Sequence, residues 1–596
     1  MDKQVFDVLK NLFGHESFRD FQEEAIESIL NKRDLLTILP TGGGKSLCYQ
    51  LPSLVMDGTT IVISPLIALM HDQVTALKAN GISAEMINSS QDYQEIQTIT
   101  EKLLNQEIKL LYIAPERLSA HGFIDLLHQV RLNFFVIDEA HCVSEWGHEF
   151  RSDYRKLSQL KELFPLVNIA AFTATATKKV QADIVKSLVL HESVELRGKT
   201  KRDNLSINSI KRVSNGRNQL LNFLALHQKQ CGIIYAFSRK DVESTTNFLK
   251  EKGFSVGMYH AGLTSEYRAQ VYNDFVYENI DIVVATIAFG MGIDKSNIRF
   301  VVHMSMPKTM ESYYQEIGRA GRDGLPSETL LLFSKADEIN KLRLIDEIDN
   351  QEYKHLMYTK LNKMYSFSNS SECRHQSIAK YFDDEIDACG DMCDSCKRGE
   401  VQMVDIKQSS MKLLSAIYRC EQRFGINHVV DVLRGSKNKK VQQFHHDTLS
   451  VYGIGEDLSK DAWIAISERL FELDALSVGE FKAVKITPFG LEILKAKVEV
   501  SIDAIKLQSV KKERKKELIL DVDDEVFERF RELRRSIADE ADVPAYIVFS
   551  DKTLVDFASK LPTTKEETLE VNGVGEVKFE RYGKQFLDLC LKIKNK

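Results

Sequence analysis

The sequence predicts an α/β protein with two successive parallel-sheet domains, then a cysteine-bearing helical region, a mixed segment and a small all-α unit. Between Asp34 and Leu190, short runs that are apolar throughout (TTIVISP, IKLLYIAPE, LNFFVIDEAH, NIAAFTATAT) alternate with helical stretches. Strands of that kind are buried on both faces, as in a parallel sheet covered by helices. The alternation restarts after the basic stretch RGKTKRDNLSINSIKR, with CGIIYAFS, FSVGMYH, DIVVAT, IRFVVHMSMP and ETLLLFS. Past Lys335 the pattern changes to long helical periodicity, then a cysteine cluster, then mixed helices and short strands up to Lys497. A charged run, KKERKK (511–516), reads as a solvated linker before the last helical stretch.

A chain of 596 residues is too long for one core, which agrees with several domains. The content of 43% hydrophobic and 28% charged residues is that of globular protein. No run reaches the ~18 apolar residues of a membrane span, and MDKQVFDVLKN lacks a signal-peptide core, so a cytoplasmic protein without membrane contact is expected. The net charge of −7 restricts any nucleic-acid contact to local patches. Five of the nine cysteines, Cys48, Cys142, Cys231, Cys420 and Cys590, are scattered, as reduced buried thiols are.

Four constellations carry chemistry. In LPTGGGKS (39–46), Gly42, Gly43 and Gly44 let backbone N–H groups crowd round a phosphate, Lys45 reaches outer phosphates, and the Ser46 hydroxyl suits Mg²⁺. Leu39 breaks the strict phosphate-loop pattern, and the competing reading is an ordinary glycine turn. FFVIDEAH (134–141) ends an apolar strand in two carboxylates: Asp138 for Mg²⁺ and Glu139 to orient and deprotonate water. In YYQEIGRAGRDG (313–324), Arg319 and Arg322 share a helix face and suit charge on a transferring phosphoryl group, although surface arginines are common. Cys373, Cys389, Cys393 and Cys396 have the spacing of a closed Zn²⁺ site, with a redox pair or buried thiols as the alternative.

Together TGGGKS, DEAH, FTATAT (172–177) and QEIGRAGRDG resemble the motor of superfamily-two helicases. With GHESFRDFQ (14–22) before the phosphate loop and CVSEWGHEFR (142–151) after DEAH, the chain is similar to the RecQ family of DNA helicases. The resemblance implies RecA-like domains at 1–203 and 204–340, a zinc-binding module at 341–403, a winged-helix domain at 404–500, a linker at 501–521 and an HRDC bundle at 522–596, with VPAYIVFSD (543–551) its most recognisable segment. It implies ATP, Mg²⁺ and Zn²⁺ as cofactors. Arg19 and Gln22 become adenine readers, Thr41 joins the phosphate loop, and His141 and Gln315 join the catalytic set. Arg319 and Arg322 approach the γ-phosphate, with Arg322 as arginine finger, while Gly290 and Asp294 in ATIAFGMGIDK link nucleotide state to DNA. The chain departs from many bacterial members at His15, where they carry an aromatic residue, and in having three residues between Cys389 and Cys393.

The implied activity is ATP-dependent 3′→5′ translocation on single-stranded DNA and unwinding of duplexes in repair, recombination or replication-fork maintenance. The implied partners are single-stranded, branched and duplex DNA and a single-stranded-DNA-binding protein at the winged-helix region, with nucleoid association in a bacterium. The alternatives are an RNA helicase using the same motor, disfavoured by the tryptophan loop and C-terminal modules, and a non-enzymatic zinc and winged-helix regulator, opposed by intact Lys45, Asp138, Glu139 and Arg322. Trp146, Phe150 and Tyr154 follow Glu139 closely and suit stacking on unpaired bases, with His148 and Arg151 beside them, unless the aromatics belong to the core. Arg434, Lys437, Lys439 and Lys440 read equally well as a DNA-phosphate patch or a solvated loop, and VNGVG (571–575) reads as an interhelical turn, with a turn that approaches a phosphate backbone as the alternative.

Overall fold

Strands buried on both faces shape the first part of the molecule. The computed structural model describes residues 3–88, 91–147, 151–287, 289, 295–398, 403–473, 475–478, 483–504, 524–541 and 543–594. The first sheet contains β1 (Leu35–Ile38), β2 (Thr59–Ile63), β3 (Ala84–Ile87), β4 (Leu110–Ile113), β5 (Leu132–Ile137), β6 (Ile169–Thr173) and β7 (Val194–Arg197). Its order is β3-β4-β2-β5-β6-β1-β7, and every neighbouring pair is parallel. Side chains alternate across it: Phe135 and Ile137 join the core under one face, Phe134 and Val136 the core under the other.

The second sheet contains β8 (Leu205–Lys211), β9 (Gly232–Tyr235), β10 (Val256–Tyr259), β11 (Ile282–Ala285), β12 (Phe300–His303) and β13 (Ser327–Phe333). Its order is β10-β11-β9-β12-β13-β8, again all parallel. Parallel strands need crossover connections, so all the strand C-termini of one sheet lie along one edge, where ligands bind. The phosphate loop after β1, the carboxylates after β5 and FTATAT at the end of β6 therefore share that edge.

The described residues form two compact units. The first holds both sheets, the helix Gln351–Asn369 up to Ser368, the helix Arg374–Tyr381 and the C-terminal bundle. That bundle packs helices Asp524–Ala541, Asp551–Lys560 and Lys584–Lys594 round Phe530, Phe549, Phe557 and Phe586. The bundle packs on the motor, with the Gly573 amide donating to the Gly14 carbonyl and Arg534 to Glu278. The charged run before it lies outside the described residues.

The second unit packs helices Lys407–Arg419, Ile426–Leu433 and Lys460–Glu472 round the fully buried Trp463, whose Nε1 donates to the Gly455 carbonyl at 2.8 Å. Its small antiparallel pairs, Leu476–Val478 with Val484–Ile486 and Met403–Asp405 with Ser501–Asp503, complete the helix-plus-hairpin pattern of a winged helix.

β1 is anchored by the buried carboxylate of Asp34, which accepts from Lys161 Nζ at 2.6 Å, the Ile169 amide at 2.8 Å and the His191 amide at 2.9 Å. Nothing in the local pattern of NKRDLLTILP distinguishes this aspartate from a surface one. Asp34→Ala leaves Lys161 buried without its anion and should cost about 3–5 kcal/mol. Chemical denaturation followed in the first domain checks this: an unchanged midpoint would place Asp34 outside the fold's support.

Candidate active site and metal cluster

The loop after β1 takes its shape from glycine. Gly42 and Gly44 have φ of 81° and 80°, in the left-handed region that glycine enters without strain. A Cβ on Gly42 would stand 3.2 Å from the Cα of Arg322, and one on Gly43 would meet the Pro40 carbonyl oxygen at 2.9 Å. The helix Lys45–Val55 starts directly after Gly44, and Lys45 Nζ donates to the Leu39 carbonyl at 3.2 Å. Arg19 and Gln22 serve the loop in a way the motif did not suggest. Arg19 donates to the Gly42 carbonyl at 2.7 Å, and Gln22 Nε2 to the Gly44 carbonyl at 3.1 Å, while Gln22 Oε1 accepts from the Arg19 amide at 2.8 Å.

At the end of β5 the two carboxylates are adjacent, and Glu139 has φ of 48°. Its amide donates to Asp138 Oδ1 at 3.0 Å. Burial, with the charge of Glu139 second, pushes the Asp138 carboxyl up to about 7. A carboxylate pair that resists full ionisation is one that a cation stabilises, so the donor set fits Mg²⁺. Glu139 Oε2 lies 3.3 Å from Nδ1 of the buried His141, which is hydrogen-bonded to Thr173 Oγ1 at 2.9 Å. DEAH and FTATAT are thereby joined side chain to side chain.

The arginine segment follows the helix Met310–Ile317, so Arg319 and Arg322 stand in the turns beyond it and not on the helix face expected from their spacing. His303 Nε2 and Glu316 Oε2, both buried, are 2.6 Å apart and fix the helix to β12. Arg202 donates to the Gly318 carbonyl at 3.0 Å and also to that of Gly321, where Asn204 donates at 2.8 Å. Arg299 grips Asp323 with bonds of 2.7 and 2.6 Å. The sequence reading missed all four supports, since a lone Arg, Asn or His carries no spacing signal.

A cavity of about 1010 Å³ collects Arg19, Gln22, Thr41, Gly42, Gly44, Lys45, Ser46, Asp138 and Glu139 from one domain and Gln315, Arg319 and Arg322 from the other. Gly43 and His141 are not among the residues that line it. Arg319 is buried, and its Nε has no hydrogen-bond partner among the described residues. A buried donor without a partner is costly, and a phosphate oxygen would satisfy it. With the glycine cradle and Lys45, the residues present fit a nucleoside triphosphate.

The aromatic segment divides. Trp146 is half-buried, with Lys179 Nζ 2.9 Å from its ring centroid and its carbonyl accepting from Lys360 at 3.0 Å. Arg151 donates to the Pro65 carbonyl at 2.8 Å. Tyr154 corrects the expectation of a base-stacking ring: it is fully buried, and its hydroxyl donates to the Asp138 carbonyl at 3.0 Å. His148, Phe150, Gly290 and Asp294 lie outside the described residues.

The thiols of Cys373, Cys389, Cys393 and Cys396 all lie within 4.8 Å of one another. Four soft sulfur donors at that spacing fit one tetrahedral Zn²⁺. Asp394, between the third and fourth cysteines, takes bonds of 2.9 and 3.0 Å from the buried Arg374, the neighbour of Cys373. This pair clamps the two ends of the cysteine loop together, and no motif announced it.

Two parallel-sheet domains sharing one phosphate-binding cavity define a two-domain nucleotide-binding protein. The chain matches the family models of DEAD/DEAH box helicase over residues 19–183, helicase conserved C-terminal domain over 216–324, RecQ zinc-binding over 335–397, RQC domain over 400–511 and HRDC domain over 523–590. It is 41% identical to the ATP-dependent DNA helicase RecQ of Pasteurella multocida over 99% of this chain and 94% of that one. It is also 41% identical to the protein of the same description from Bacillus subtilis, covering 97% of each. A eukaryotic relative, the ATP-dependent helicase SGS1 of Saccharomyces cerevisiae, is 35% identical over 84% of this chain and 36% of its own. The chain belongs to the RecQ family of ATP-dependent DNA helicases, and its cofactors are ATP, Mg²⁺ and Zn²⁺. Among the described residues, no helix is long and apolar enough to cross a membrane.

Cys393→Ser should lower bound zinc from one ion per chain to well below half, and with it the thermal stability of the region round helix Arg374–Tyr381, because metal binding there is folding free energy. Metal analysis of purified protein checks the first and hydrogen exchange the second; a parent protein that is folded and zinc-free would refute the cluster's role.

Proposed function

We propose that this DNA-dependent ATPase moves 3′→5′ along single-stranded DNA, and that Lys45, Glu139 and Arg322 carry turnover. What supports this most is their convergence, from two domains, on one cavity. Bound ATP supplies the scissile phosphoanhydride bond. Gly42, Gly43 and Gly44 leave room for backbone amides to approach its phosphates, Thr41 lines the loop beside them, Lys45 contacts the outer phosphates, and Ser46 and Asp138 would hold Mg²⁺. Glu139 orients the attacking water and takes its proton, with His141 holding that carboxylate and Gln315 beside the site. Arg322, as arginine finger, and Arg319 meet the charge that develops on the transferring group. Arg19 and Gln22 read adenine and are also bonded to the phosphate loop, so base recognition and loop geometry are tied.

Cys373, Cys389, Cys393 and Cys396 hold the structural zinc. Trp146, His148, Phe150 and Arg151 couple DNA to hydrolysis, with Tyr154 as the buried support of Asp138 rather than a DNA contact. Gly290 and Asp294 act in the same coupling from the second domain. The exposed Arg434, Lys437, Lys439 and Lys440 offer duplex or branched DNA a phosphate contact, and a single-stranded-DNA-binding protein docks on the same winged-helix unit. The protein works in the cytoplasm, on the nucleoid in a bacterium, serving repair, recombination or fork maintenance.

Lys45→Ala and Glu139→Gln should each reduce DNA-stimulated ATP turnover by about 10²-fold or more, the second with nucleotide affinity largely kept. Parent-like turnover in Glu139→Gln would remove Glu139 from the chemistry. Trp146→Ala should keep basal ATPase and most DNA affinity but lose DNA stimulation and unwinding together. Stimulation retained at saturating single-stranded DNA, in a folded variant, would return Trp146 to a packing role.

A further inference from the structure

The nucleotide cavity has a wall that the motor motifs do not account for. Ser550, Lys552, Asp556, Asn572 and Lys578 of the C-terminal bundle line it, together with Gly14, His15 and Arg19 of the motor. Burial holds the Lys578 ammonium down to about 8, and its Nζ donates to the Ile547 carbonyl at 2.7 Å. His15 feels the bundle too: burial, then Arg19, Lys552 and Lys578, bring it to about 4.

The bundle touches both motor domains. On the first, the Gly573 amide donates to the Gly14 carbonyl at 3.1 Å, and Arg581 donates to the Ala79 carbonyl. On the second, Arg534 donates to Glu278 at 3.1 Å and Arg535 to Asn279 at 2.9 Å. The Glu278 contact is a buried charge network, because Glu278 also faces Lys295 at 3.4 Å and Arg531 at 3.7 Å, with Arg534 and Lys295 wholly inaccessible. A buried network of this kind is costly to leave half-satisfied, so its two halves separate together or not at all.

The turn VNGVG is the closest part of the dock. A Cβ on Gly14 would meet the Val574 amide nitrogen at 2.7 Å, and one on Gly575 would meet the Asn11 carbonyl oxygen at 2.5 Å. Gly573 needs its φ of 82° for the turn, but Gly575 has φ of −92° and ψ of 168°, which any residue adopts. The three atoms nearest a Gly575 Cβ all belong to the motor. Glycine is required there by the dock and not by the bundle's own backbone.

We propose that the C-terminal bundle is a lid on the nucleotide site: docked on both motor domains, it closes the side of the cavity formed by Gly14 to Arg19, and a nucleoside diphosphate leaves only when it lifts. This rests on the cavity being the nucleotide site. Lid opening then gates product release, and anything that draws the bundle away accelerates exchange.

The test uses full-length protein and ribose-labelled fluorescent ADP, with release followed on chasing with excess ATP. Gly575→Val places a side chain against Asn11, and Arg581→Glu added to it removes the Ala79 contact and adds repulsion against carbonyl oxygens. Release should quicken severalfold in the single variant and about tenfold or more in the double, which corresponds to at least ~1.4 kcal/mol of barrier. Small-angle scattering should show the double variant's bundle detached. Unchanged release with a detached bundle would overturn the lid, as would a bundle that stays docked in the double variant. Failure of the parent protein to bind labelled ADP would instead overturn the site assignment beneath it.

Discussion

The meeting of the two motor domains depends on the absence of a side chain at Gly42. With φ of 81° and a virtual Cβ only 3.2 Å from the Arg322 Cα, this residue lets the phosphate loop of one sheet touch the arginine segment of the other. Gly318 repeats the arrangement from the opposite side, since a Cβ there would stand 3.0 Å from Thr41. Two backbones at this distance leave no room for a shielding layer. The arginines and the carboxylate pair therefore face the same volume, and charge on a phosphoryl group is met without rearranging the loops around it.

That contact is held from behind by groups doing no chemistry. On the first domain, Arg19 and Gln22 bond the loop carbonyls, and Tyr154 and Thr173 hold the ends of the carboxylate segment. On the second, His303 with Glu316, Arg202 with Gly318 and Gly321, and Arg299 with Asp323 fix the arginines. The bonds of His141 with Thr173, His303 with Glu316 and Arg299 with Asp323 are buried, where hydrogen bonds are strong and loss of one partner strands the other. Rigidity on both sides of the cleft makes its opening a movement of whole domains, and a bundle bonded to both then has leverage over the site.

The zinc cluster uses the same logic. Thiols separated in sequence by fifteen residues between Cys373 and Cys389 converge because helix Arg374–Tyr381 and the Asp394 turn are locked by the Arg374–Asp394 pair. The extra residue between Cys389 and Cys393 does not prevent that convergence. Gly390, with φ of 74°, gives the turn its freedom.

By itself the sequence determined the two parallel sheets, the phosphate loop, DEAH, the arginine segment and the four cysteines. Each is local: runs apolar throughout state burial on both faces, and fixed spacing states which groups share a turn or a strand end. Tertiary structure decided which isolated polar residues support them. Asp34, Arg202, Arg299, His303 and Arg374 carry no local sign of that role, because their partners lie in other elements. It also decided that Tyr154 is buried while Trp146 is half-exposed, although both stand in one aromatic segment. The turn VNGVG shows the division most plainly. Its glycines are legible as a turn, but the need for one at Gly575 arises only from Asn11, more than five hundred residues away in the chain and 2.5 Å from the missing Cβ. Local pattern records what a residue requires of its neighbours in the chain; a close approach between distant backbones is set by packing and leaves no periodic trace.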